Sequence, residues 1–238
     1  MTMTMNRHID PAGTPHSSHQ PAINLAPVVT GAILVLVAIH LGRTYLLSDD
    51  QNVVVIALFG FVPSRGWGDV LTAIELITHS FLHGGAAHLI VNSIWLAVFG
   101  SPLAVRIGTV RFLLFWAVTA AAGALAIVIL DPEFPGVLIG ASGAISGMAG
   151  AATRYGFRID RSRVPAAYSG SVLPVATVIQ MRQVYTFILV WAVTNVLAGA
   201  GLLTGGGQAI AWQAHLGGFA AGFLLIGLFV PNSSPESR

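Results

Sequence analysis

Three polar clusters interrupt an otherwise apolar sequence. The first runs His79-Ser-Phe-Leu-His83-Gly-Gly-Ala-Ala-His88-Leu-Ile-Val-Asn92, the second is Gly140-Ala-Ser142-Gly143, and the third is His215-Leu-Gly-Gly218-Phe-Ala-Ala-Gly222. A serine hydroxyl is a poor nucleophile until an adjacent base takes its proton, and His215 is the candidate base for Ser142. Acyl transfer also builds negative charge on a carbonyl oxygen, which preorganised donors in a low-dielectric site stabilise. His88 and Asn92 are i and i+4, so on a helix they share one face. With the backbone N–H groups around Ser142 they could form an oxyanion site. Each signal alone is weak. A single His or Asn inside a membrane is as often interhelical glue, and Gly-Ala-Ser-Gly suits any tight helix contact. The spacing of His79 and His83 fits metal ligation or hydrogen bonds that order a loop. Loop ordering is the favoured reading, because no His-Glu-x-x-His motif accompanies them. Glu75 and Trp95 read as structural or interfacial.

The elements that must position these groups follow from composition. Of 238 residues, 55% are hydrophobic and 8% charged, with a mean hydropathy of +0.78. Soluble chains carry roughly 25% charged residues, so lipid must solvate most of this surface. The net charge is +2 and every basic residue is Arg. No alternation of basic and aromatic residues suggests a nucleic-acid groove. The absence of cysteine excludes disulfides and thiolate chemistry. Residues 1–25, rich in Thr, Ser, Pro and His, read as a disordered cytoplasmic tail, and they lack the pattern of a signal peptide. A membrane domain over residues 26–231 and a short cytoplasmic tail at 232–238 complete the division.

A bilayer core about 30 Å thick takes roughly 20 apolar residues per helix. Charge-poor stretches near Val28–Leu47, Ala86–Leu103, Phe112–Leu130, Ser142–Phe157, Val184–Leu203 and Ala209–Val230 give an all-α bundle of six transmembrane helices. Val53–Val62 is too short to span and is expected to be interfacial or re-entrant, within a long, partly membrane-embedded first outer loop. Arg106, Arg111, Arg154, Arg158, Arg161, Arg163 and Arg182 cluster at the second and fourth connections, which places both termini in the cytoplasm. Spans two, four and six then enter from the outer side, and His88, Asn92, Ser142 and His215 all fall in their first turns. Four polar residues far apart in sequence thus reach one depth, which glue does not require. Gly143 with Gly147, Ser146 with Gly150, and Gly218 with Gly222 have the small-xxx-small spacing that lets helices approach closely in lipid.

On His88-xxx-Asn92, Gly140-x-Ser142-Gly143 and His215-xx-Gly218-xxx-Gly222, in that order, the chain resembles the rhomboid proteases across residues 28–230. His83 matches a further histidine often found in that family's first outer loop. The resemblance implies a Ser142–His215 dyad without an acidic third member. It also implies an oxyanion site of His88, Asn92 and the Ser142 N–H, and substrates that are single-span membrane proteins entering laterally. Two positions depart from the family pattern. Ser146 stands where an aromatic usually packs on the catalytic histidine, and Glu75-Leu-Ile-Thr78 replaces a frequent Trp-Arg pair. The expected activity is intramembrane serine endopeptidase, with neither cofactor nor metal, in a bacterial plasma membrane and with the site open to the outer side. The alternative within the family is an idle protein that binds membrane clients. A transporter is disfavoured because no second half repeats the first, and a metalloprotease using His79, His83 and His88 because it lacks the motif.

Overall fold

The computed structural model describes residues 24–65, 70–202 and 211–231. The two expected tails therefore lie almost wholly outside the described residues. Helices α1 (Pro27–Tyr45), α2 (Asp49–Phe59) and α3 (Val70–Thr78) come first. They are followed by α4 (Ala86–Ile107), α5 (Thr109–Leu130), α6 (Ser142–Arg154), α7 (Arg182–Gly199) and α8 (Trp212–Phe229). A two-residue antiparallel pair, β1 (Ile159–Asp160) with β2 (Ala167–Tyr168), lies between α6 and α7.

Among the described residues, α1, α4, α5 and α8 are long and apolar enough to cross a membrane. Helix α6 has only 13 residues and α7 has 18, with few buried side chains on α7. The protein is an integral membrane protein, and six of its helices coincide with the six expected spans to within a few residues. The fourth ends earlier than expected, at Arg154, because Gly156 and Phe157 both take positive φ, of 59° and 54°. Residues 53–59 of the Val53–Val62 stretch form the end of α2, whose start is fixed by a capping box between Ser48 and Gln51, and Phe61 beyond it bridges to Leu138.

Helix α6 is the buried axis of the molecule: every side chain from Gly143 to Thr153 is buried. Glycines explain how a helix can be surrounded so closely. A Cβ on Gly222 would collide with the Gly147 carbonyl, one on Gly218 with the Gly143 carbonyl, and one on Gly150 with the Phe219 carbonyl. A Cβ on Gly123 of α5 would stand 2.7 Å from the Ala214 carbonyl oxygen. Thus α5, α6 and α8 touch backbone to backbone, the contact that small residues permit in lipid.

The first loop is tied to this core by named polar contacts. Arg43 of α1 donates to Asn52 Oδ1 at 3.0 Å and to the His83 carbonyl at 3.2 Å. Glu75, fully buried, pairs with Arg65, which bears out its structural reading. Phe61 and Leu138 exchange two backbone hydrogen bonds, of 3.0 and 2.8 Å. The segment leading to α6 is therefore held by the first loop.

Candidate active site

Ser142 is the first residue of α6, and His215 lies one turn into α8. The close approach of these helices through Gly143 and Gly218 brings Ser142 Oγ to 2.8 Å from His215 Nε2. The two residues are separated by 73 positions in sequence, so packing alone makes the contact. The start of α8 is anchored by Gln213 Nε2, which donates to Asp131 Oδ2 at 2.9 Å at the end of α5.

The approach to Ser142 is built by Gly140. Its φ of +125° lies in a region that other residues rarely adopt. A Cβ there would also meet His88 Cε1 and Nε2 at 2.8 Å. Its N–H donates to the His79 carbonyl at 2.9 Å. The buried His79 ring lies with Nε2 3.4 Å from the Ala120 carbonyl. His79 and His83 are thus both drawn into ordering the first loop through their backbone carbonyls. Among the described residues no group of three His, Cys, Asp or Glu side chains is gathered as a metal site.

His88 and Asn92 face the same pocket as Ser142 and His215. The Gly84 N–H points at His88 Nδ1 over a long 3.5 Å, which leaves Nε2 as the ring's donor side. Asn92, 4% exposed, uses one amide hydrogen on the His88 carbonyl at 2.8 Å. Its second amide hydrogen remains for the pocket. The first N–H groups of α6 have no intrahelical acceptor, as at any helix start, and the first in-helix bond is Ile145 N–H to the Ala141 carbonyl at 2.9 Å. Donors from α4 and from the α6 terminus therefore border the hydroxyl of Ser142.

These groups line a cavity of about 1400 Å³, bounded also by Trp95, Phe134, Trp191 and Trp212. Trp95 stacks on Phe99 with ring centroids 5.4 Å apart, which fits its structural reading. Ser146 lines the cavity too and offers no ring to His215. One participant escaped the sequence reading. Asn195 of α7 places Oδ1 2.5 Å from His215 Nδ1, while its Nδ2 donates to the Trp191 carbonyl at 2.7 Å. The signal that could have found it is depth, since Asn195 is an amide near the C-terminal end of α7, the end that the expected orientation turns outward.

Comparison with known proteins agrees with the motif reading. Residues 71–232 match the Rhomboid domain family. RHOMBOID-like protein 4 of Arabidopsis thaliana is 28% identical over 153 residues, covering 63% of this chain and 32% of the plant protein. The chain thus spans about a third of the length of that relative. With a domain match over more than half its length, spanning all three polar clusters, the chain belongs to the rhomboid family.

Proposed function

We propose that this protein is an intramembrane serine endopeptidase that cleaves transmembrane segments of other membrane proteins. The observation that carries the reading is the 2.8 Å contact of Ser142 Oγ with His215 Nε2, made inside a pocket that also holds His88 and Asn92. In this reading His215 takes the Ser142 proton as Oγ attacks the scissile carbonyl. The new oxyanion receives hydrogen bonds from the Ser142 N–H, His88 Nε2 and Asn92 Nδ2. Collapse expels the amine, which leaves with the proton from His215, and an acyl ester remains on Ser142. Water then attacks the ester, with His215 again as base, and releases the carboxylic acid. Removing one oxyanion donor typically costs about 100- to 1000-fold in rate.

The short α6 supports a recessed, outward-opening site. At 1.5 Å per residue its 13 residues extend about 20 Å, against a bilayer core of about 30 Å. With the arginine-rich end of α6 at the cytoplasmic face, Ser142 lies roughly 10 Å below the outer surface. The six helices α1, α4, α5, α6, α7 and α8 would then be the six spans, both termini cytoplasmic, in a bacterial plasma membrane.

Labelling of the detergent-purified protein with a fluorophosphonate tests the activated serine. Folded wild type should label, and Ser142→Ala and His215→Ala should not. Equal labelling of all three would remove the dyad. A folded wild type that neither labels nor cuts a single-span substrate would instead be an idle, client-binding member of the family.

A further inference from the structure

We infer that Asn195 of α7 is a positioning residue for His215, fixing both its ring orientation and its tautomer; the catalytic consequence rests on the protease reading above. Asn195 Nδ2 lies 2.7 Å from the Trp191 carbonyl oxygen, a distance that only an N–H donor can hold against a carbonyl. The other end of the amide is therefore the oxygen, and it faces His215 Nδ1 at 2.5 Å. A carbonyl oxygen only accepts, so Nδ1 must carry the ring proton. That leaves Nε2 with its lone pair, and Nε2 is the nitrogen 2.8 Å from Ser142 Oγ. The arrangement selects the one neutral tautomer that can take the serine proton.

Position and packing support the same assignment. Ser146 stands four residues after Ser142, where an aromatic ring could otherwise steady the imidazole face. Asn195 reaches the imidazole from the opposite helix and holds it by an edge instead. It is also a polar group on a helix with few buried side chains, where an amide facing lipid would be costly. The competing account is interhelical glue, a weak hydrogen bond that holds two helices together in a membrane bundle. Glue predicts a change in stability alone. A positioning role predicts a change in tautomer and turnover.

The test uses the full chain in detergent, labelled with 15N-histidine and observed by NMR above pH 7.5. His215 resonances are identified by their absence from His215→Phe. Wild type should show His215 protonated at Nδ1 alone, and Asn195→Ala should show a mixture of tautomers. In cleavage assays Asn195→Ala should lower kcat about ten- to a hundredfold with KM little changed. Asn195→Asp keeps the acceptor but discards the donor to Trp191, and it should restore most of that turnover. A wild-type His215 protonated at Nε2 overturns the assignment without reference to any variant. So does an Asn195→Ala protein that keeps the single Nδ1–H tautomer. An Nδ1–H wild type that cleaves nothing would overturn the protease reading and leave the positioning role standing.

Discussion

Gly218→Ala adds one methyl group, and the structure sets what it should do. The new Cβ would fall on the carbonyl oxygen of Gly143. An ordinary carbon–oxygen contact needs about 3.3 Å, so α8 must withdraw from α6 by at least about 1 Å. Gly143 follows Ser142 directly, and Gly218 lies one turn beyond His215, so the displacement acts on the dyad itself. The Ser142–His215 contact, now 2.8 Å, would open to roughly 3.8 Å, beyond hydrogen-bond reach. A misplacement of about 1 Å costs on the order of 100-fold in rate, and the overpacking costs about 1–3 kcal/mol of stability. Gly227→Ala in the same helix is the matched control, because its Cβ would meet nothing within 4 Å. It should leave activity unchanged and stabilise the helix by about 0.5–1 kcal/mol. Initial cleavage rates on a single-span substrate, with thermal unfolding in the same detergent, read both effects. A Gly218→Ala protein with wild-type rate and stability would refute the argument, as would equal damage from Gly227→Ala.

Other expectations concern the first loop and the chemistry. Arg65→Ala strands the buried Glu75 carboxylate and should cost about 3 kcal/mol, somewhat less because the Arg65 side chain is 28% exposed. Glu75→Gln should cost less than Arg65→Ala, and unfolding temperatures in the reverse order would contradict the ion-pair account. His83, outside the spanning helices, is pushed down to about 3 by burial and then by the nearby His88 and His40. Below pH 6.5 the unfolded chain therefore binds the proton that folded His83 refuses. Stability should fall between pH 6.5 and 5 by at most about 2 kcal/mol from this group, and His83→Phe should flatten that slope in melting curves. Cleavage should continue in EDTA; activity lost to chelator and returned by zinc would defeat the proposed mechanism.

How much of this was legible in the sequence differs by element. The glycines at 143, 147, 218 and 222 declared the α6–α8 contact, because a Cβ-free stripe has one strong use in a membrane. The helix starts at 86 and 142 followed from where polar clusters met apolar runs, whereas the last span, expected from 209, begins at Trp212. What composition could not give was the first loop. Its helices are short, and its anchors are backbone bonds such as Phe61 to Leu138 and Gly140 to His79. Any residue with an N–H and a carbonyl can make those bonds, so no side-chain pattern marks them. The Arg65–Glu75 pair spans ten positions and two elements, a separation that neither helical nor strand periodicity singles out.

Asn195 shows the same limit from the other side. The depth argument selected polar residues in the first turns of spans entering from outside, and so passed over span five, which runs the opposite way. Applied to every span, the same argument asks which polar residues lie near the outer face, whichever direction the chain runs. Under the expected orientation Asn195, four residues before the end of α7, satisfies that condition. Depth is a property of the bilayer, whereas chain direction is a property of the connection. A site in a membrane gathers residues by the first and is indifferent to the second. For His215 the result is a partner at each ring nitrogen, one from α6 and one from α7. Sequence motifs shared along one direction of the chain could identify the first partner, and only the packed structure supplied the second.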